Sequence, residues 1–148
     1  MNADTTMMRL PILFAVLLGL IAGCARAGEL AIGDPWIRAA PPGAEVLAGY
    51  AIVHNGGDGV VTITGARSAA FGRIELHEMS MSGGVMRMRP LAALAIAPGD
   101  ETKLAPGGTH LMLMQPQRAL KIGDVVEVEL VDVAGVAYPA TFTVRPAE

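Results

Sequence analysis

An all-β sandwich or barrel is the fold class this sequence predicts, and three observations predict it. From Leu30 on, short runs rich in Val, Ile and Thr alternate with Gly, Pro and Asp at intervals of roughly eight to twelve residues, the rhythm of strands joined by tight turns. No segment sustains the apolar period of an amphipathic helix. The 148 residues, 52% of them hydrophobic, suffice for one domain with a sizeable core and leave no room for a second of ordinary size.

Each element is bounded by its own turn chemistry. The segment Ala39-Ala40-Pro41-Pro42-Gly43 reads as an irregular crossing loop, after which Glu45 to Asn55 reads as a strand closed by Gly56-Gly57-Asp58-Gly59. Val60 to Gly65 follows as the next strand. Arg73 to Met81 and Gly84 to Arg89 form a hairpin around Ser82-Gly83. Leu94 to Ile96 and Thr102 to Leu104 flank Pro98-Gly99-Asp100, and Pro106-Gly107-Gly108 leads into Thr109 to Met114. Gly123-Asp124 opens Val125 to Val131, and Val136 to Val144 completes the set. All these turns carry residues that tolerate special backbone angles. The chain has no internal repeat, no low-complexity tract and no long charged run.

The first 27 residues stand apart from this pattern. Arg9, the apolar run Leu10 to Ala22 and the small-residue stretch Gly23 to Ala27 have the layout of a secretory signal. The run is too short to span a bilayer. Two processing sites compete: Ala25-Arg26-Ala27 suits ordinary signal peptidase, and Ile21-Ala22-Gly23-Cys24 resembles a lipobox in which Cys24 is lipidated. The ordinary site is the expectation, because strand-like sequence resumes by Leu30 and a lipid on Cys24 leaves almost no tether. Either route exports a soluble domain of residues 28–148, with no transmembrane span of its own.

Charge and cysteine content exclude several functions. Removing Arg9, Arg26 and Asp4 from the 11 basic and 14 acidic residues leaves 9 and 13, a net charge of −4 with His neutral. That balance argues against nucleic acid, which rewards a basic patch. Cys24 is the only cysteine, so the exported domain has no disulfide, no cysteine-based zinc site and no thiolate nucleophile.

Chemistry concentrates between His77 and Met114, where six methionines and two histidines gather in a domain with no other Met. Thioethers and imidazoles without thiolates suit monovalent copper, a soft ion that accepts Met sulfur readily. With Ser82-Gly83 as the two-residue turn, Met81 is expected opposite Gly84, Met79 opposite Met86 and His77 opposite Met88, all on one face. In Thr109-His110-Leu111-Met112-Leu113-Met114, alternation sends His110, Met112 and Met114 to one face and the two leucines to the other. One hairpin and one strand thereby supply a two-His, two-Met site: His77, Met88, His110 and Met112.

At these residues the sequence resembles the periplasmic copper(I) chaperones of the PCuAC type. Their signature is a His, ten intervening residues, a Met, twenty-one intervening residues, then His-x-Met. His77, Met88 and His110-Leu111-Met112 keep those spacings. Trp36, Pro41-Pro42-Gly43, Asn55 before a Gly-rich turn, Gly83-Gly84-Val85-Met86 and Gly107-Gly108 extend the likeness over nearly the whole exported chain. Thr109, where the family commonly has an aromatic, departs from it. The resemblance implies a cupredoxin-like Greek-key β-sandwich or barrel that binds one Cu(I) through His77, Met88, His110 and Met112 in the periplasm. It further implies delivery to the copper A centre of apo cytochrome c oxidase subunit II, often with a thiol-disulfide assembly protein.

Blander readings stand beside this one. Met79, Met81, Met86 and Met114 are expected to pack at the rim, with an auxiliary or docking ligand as the alternative; His54 to be structural or solvated; Trp36 to pack over one end of the sandwich, with a role near the metal as the alternative; and Arg87 and Arg89 to face solvent, with docking of an acidic client as the alternative. Glu75 and Glu78 flank His77, but no nucleophile or second carboxylate pairing supports acid–base hydrolysis, so the chain is read as a carrier and not an enzyme. A blue-copper electron carrier needs a Cys thiolate between two His ligands, which the exported domain lacks. Copper storage or resistance, and a Met-rich β-sandwich interaction module, are the alternative functions.

Overall fold

The computed structural model describes residues 30–147 as ten strands without a helix. In chain order they are β1 (Leu30–Arg38), β2 (Val46–Asn55), β3 (Val61–Arg67), β4 (Phe71–Ser82), β5 (Val85–Pro90), β6 (Leu94–Ile96), β7 (Glu101–Leu104), β8 (Thr109–Pro116), β9 (Val125–Asp132) and β10 (Ala137–Arg145). The proposed signal segment, both of its processing sites and Cys24 lie outside the described residues. No helix among the described residues is long and apolar enough to cross a membrane.

Seven strands close into a barrel in the order β4-β8-β2-β1-β10-β9-β3, and a single pairing of Ala66 with Ile74 returns β3 to β4. Closure leaves those strands without a free edge. The β1–β10 contact is parallel, with Trp36 opposite Thr143, and the other contacts are antiparallel. Three strands lie off the ring: β5 extends from β4, β6 from β3 and β7 from β2. The expected all-β, cupredoxin-like architecture is therefore present, as a closed barrel.

Strand β1 is the element that the sequence reading leaves unnamed. Its alternation is broken at Gly33-Asp34-Pro35, and the structure places a register irregularity there, with Asp34 at φ 44°. An extra residue in one strand shifts the side-chain alternation by one and hides a strand from a period-2 reading.

The barrel interior is filled by inward residues such as Ile37, Val53, Leu76, Leu111, Leu113, Val128 and Phe142, each at most 2% exposed. Leu111 and Leu113 hold β8 to the core, as expected from alternation. Asn55 is fully buried as well: Nδ2 donates to the carbonyls of Gly59 and Ile96, both at 2.8 Å, and Oδ1 accepts from Gly57 N at 3.0 Å. One side chain thereby satisfies the Gly-rich turn and ties it to β6.

Candidate metal centre

The β4–β5 hairpin turns at Gly83-Gly84, one residue later than expected. Both glycines have positive φ, 59° and 75°, the pairing a two-residue type I′ turn demands and one that Ser82 would adopt only with strain. Opposed pairs are consequently Ser82 with Val85, Met81 with Met86, Met79 with Met88, and His77 with Pro90. The expected opposition of His77 to Met88, and of Met79 to Met86, is corrected. The shift is two positions in pairing, so every residue keeps its face.

The direct neighbour of His77 is instead His110, across the β4–β8 ladder, with Met112 opposite Glu75 and Met114 opposite Arg73. The two imidazole centres are 6.1 Å apart with ring planes at 43°. A first-row metal ion held about 2.0–2.1 Å from a ring nitrogen lies about 3 Å from the ring centre, so one ion fits between this pair. Both histidines point away from the core leucines, yet both are buried, at 8% and 5% exposure. Met88 is half exposed, at 49%. It lies diagonal to His77, beside Met79.

Hydrogen bonds set each imidazole's tautomer. His77 Nε2 lies 3.0 Å from Glu75 Oε2, and His110 Nδ1 lies 3.1 Å from the Gly108 carbonyl. Carboxylates and carbonyls only accept, so each holds the proton on the nitrogen it faces. His77 then offers the Nδ1 lone pair and His110 the Nε2 lone pair. His77 Nδ1 is buried with no hydrogen-bond partner, an arrangement that costs stability unless something occupies it. The His77 hydrogen bond holds the Glu75 carboxyl below the usual range, and Arg73 adds to the effect.

A cleft of about 220 Å³ opens beside this pair, lined among others by Arg38, Ala40, Ala48, Met88, His110 and Met112. Three of the four expected ligands share that cleft, and the fourth, His77, stands against His110. A larger cleft of about 600 Å³, between Ser68 and Val125, lies away from the Met and His residues, and its Arg67 and Arg118 are ion-paired with Glu129 and Asp124. Among the described residues, no group of three or more His, Cys, Asp or Glu could hold a metal ion. The candidate centre is distinguished by its thioethers, and an unpartnered imidazole nitrogen beside soft sulfur suits a soft cation.

The remaining residues fall as follows. Trp36 alternates with the buried Ile37 and so stands on the outer face of β1. It packs on Tyr50 at 4.6 Å between ring centres, Tyr50 lies 6.4 Å from His110, and His110 leads to His77, a row of four rings crossing β1, β2, β8 and β4. Tyr50 is the neighbour that the sequence reading missed. Burial pushes its phenol above the usual range, with Arg38 acting the other way. His54 is exposed at the far end of β2, opposite Glu101. Arg89 pairs with Glu78 at 2.9 Å on the solvent face, and Arg87 is exposed beside it. Met114 lies 3.7 Å from Arg73 Nη2 and is partly buried.

A closed all-β barrel with paired imidazoles and thioethers on its outer wall has the fold of PCuAC-type, cupredoxin-like proteins. The chain belongs to the family described as Putative lipoprotein LpqE-like, whose model matches residues 30–145. It is 30% identical over 158 residues to Putative lipoprotein Lxx21020 of Leifsonia xyli subsp. xyli (strain CTCB07), covering 98% of this chain and 93% of that relative. Among solved structures, the apo PCuAC domain from PmoF1 matches in fold with a TM-score of 0.69 at 24% identity, covering 82% of this chain and 97% of that one. The solution structure of CuI-DR1885 from Deinococcus radiodurans matches with a TM-score of 0.60 at 27% identity, covering 82% of this chain and 81% of that one.

Proposed function

We propose that this protein is an exported copper(I) carrier in which His77, Met88, His110 and Met112, within a domain of residues 28–148, hold one Cu(I). The observation that carries the reading is the His77–His110 pair, each ring presenting one lone pair, with Met88 and Met112 beside it. DR1885, a structural relative solved as its copper(I) form, supports the same cargo. Imidazoles anchor the ion, and neutral thioethers favour Cu(I) over Cu(II) because soft donors prefer the softer oxidation state. A set without thiolate leaves the ion's charge uncompensated, so affinity stays below that of a thiolate-containing client and transfer runs downhill by ligand exchange.

Delivery to the copper A site of cytochrome c oxidase subunit II, with a thiol-disulfide assembly protein as helper, is the role that the PCuAC resemblance implies. Storage uses the same site without a client. The lipoprotein descriptions of the family and of the Leifsonia protein weigh toward a lipid on Cys24, over cleavage at Ala25-Arg26-Ala27, and toward the periplasmic side of a membrane. Intact mass of the exported protein distinguishes the two processing routes.

The test is anaerobic Cu(I) titration against a chromophoric chelator. One tight equivalent is expected, lost or sharply weakened in Met88→Ala and His110→Ala. Binding unchanged by both substitutions would remove the carrier reading and leave a Met-rich interaction module. Transfer to apo subunit II then separates delivery from storage.

A further inference from the structure

Water solvates a lone exposed methionine without consequence, but several exposed apolar side chains gathered on one face call for an explanation. Met81 is 70% exposed, Met86 60% and Met88 49%. β8 pairs with β4 only as far as Glu78, and β5 is exposed along all six residues. The hairpin from Ser80 to Arg87 is therefore a two-stranded ribbon standing clear of the barrel.

Its two faces differ in chemistry. One carries Glu78, Ser80, Arg87 and Arg89, with Glu78 accepting from both Nε and Nη2 of Arg89 at 3.0 and 2.9 Å. The other carries two directly opposed thioether pairs, Met79 with Met88 and Met81 with Met86. Opposed Cβ atoms lie about 4.5–5.5 Å apart, and successive same-face positions about 6.6 Å apart. Met has three rotatable bonds beyond its backbone, so sulfurs at these spacings converge on one ion. The inner site uses only Met88 of the four.

We propose that Met79, Met81 and Met86 form an outer site for a soft monovalent metal ion. Taking Cu(I) as the cargo rests on the reading above. The ion loads at the exposed tip, where three neutral thioethers bind it weakly, and passes by way of Met88 to the buried His77–His110 pair. Each move exchanges one copper–ligand bond for another: sulfur for sulfur along the hairpin to Met88, then imidazole nitrogen for tip sulfur at the His77–His110 pair. Copper remains Cu(I), and no proton or electron is transferred, because thioethers bind without deprotonation. The imidazoles make the inner site tighter, so the ion moves inward.

The experiment titrates the purified protein, labelled with 13C at the Met methyls, with Ag(I) as a redox-silent soft probe and then anaerobically with Cu(I). The first equivalent is expected to shift the Met88 and Met112 methyls, and a second, weaker equivalent those of Met79, Met81 and Met86. The triple variant Met79→Leu, Met81→Leu, Met86→Leu keeps the hairpin apolar and is expected to retain the first equivalent while losing the second. The milder Met81→Leu, Met86→Leu pair is expected to weaken the second equivalent if the triple variant misfolds. In His77→Ala, His110→Ala, the tight equivalent is expected to vanish while the tip methyls still shift. One tight equivalent with the tip methyls unmoved in excess metal, or a second equivalent that survives all three leucines, overturns the outer site and leaves the inner one standing. A protein that takes up neither ion overturns both.

Discussion

Glu75 governs how His77 is presented. Its carboxylate faces Nε2 of His77 at 3.0 Å, which directs the Nδ1 lone pair toward the unpartnered side. A carboxylate behind a ligating imidazole fixes the ring and raises its basicity, and losing such a partner typically costs about 10–100-fold in metal affinity. Glu75→Ala is therefore expected to weaken Cu(I) binding by about that factor, measured by chelator competition. Glu75→Gln, whose amide oxygen still accepts from Nε2, is expected to stay closer to the parent. Equal affinities in parent and Ala variant would show that the hydrogen bond contributes nothing to binding. The carboxylates beside His77 were visible in the sequence, but which of them touches the ring was decided by alternation: Glu75 shares the histidine's face and Glu78 faces Arg89.

At the scale of elements, the hairpin and the Asn55 clamp carry the most consequence. A Cβ added at Gly84 would meet nothing within 4 Å, so Gly84→Ala is penalised through its φ of 75° and not by a clash, at about 1–2 kcal/mol. The hairpin stands off the barrel, so the expected result is faster amide exchange between Ser80 and Arg87 and weaker Cu(I) binding through a displaced Met88, with little change in global melting. Asn55→Ala leaves the Gly59 and Ile96 carbonyls and the Gly57 amide unsatisfied, at a cost of about 1–3 kcal/mol. Its urea midpoint should fall accordingly, and an unchanged midpoint would refute the clamp. Parity along β4, β5 and β8 was legible in the sequence, because alternation needs only a local pattern. Register was not: Ser82-Gly83 and Gly83-Gly84 both resemble two-residue turns, and the requirement for positive φ at both positions chooses the second.

Across the whole molecule, one ion pair fastens β10 to β1, 111 residues apart in sequence, and another braces the connection between β8 and β9. Arg145 on β10 donates to Asp34 in the β1 irregularity at 2.7 Å, and Arg118 donates to Asp124 ahead of β9 at 2.6 Å. Hydrogen bonds to these arginines, and the Lys121 amide in the case of Asp124, hold both carboxyls below their usual range. The folded state therefore binds protons less readily than the unfolded state at these positions. Their contribution is present above the unfolded value of about 3.9 and is lost as pH falls through the lower folded values. Melting temperature is expected to drop on acidification below about pH 4, and the drop should be smaller in Asp34→Asn and Asp124→Asn. Asp34 is exposed and Asp124 partly so, so the effect is modest and screened by salt.

The all-β class, nine of the ten strands, the inward leucines of β8 and the shared face of the Met and His residues were determined by the sequence alone, because turn residues and period-2 alternation act locally. β1 escaped because the irregularity at Gly33 to Trp36 breaks the alternation. Only the tertiary structure decided that the strands close into a barrel and that His77 lies opposite His110. It also decided that Trp36 and Tyr50 extend the row of rings, and that Met81 and Met86 remain exposed. Those facts depend on which strand lies beside which, a choice made by core packing and turn geometry over separations such as the 32 residues between His77 and His110, and side-chain periodicity carries no record of it.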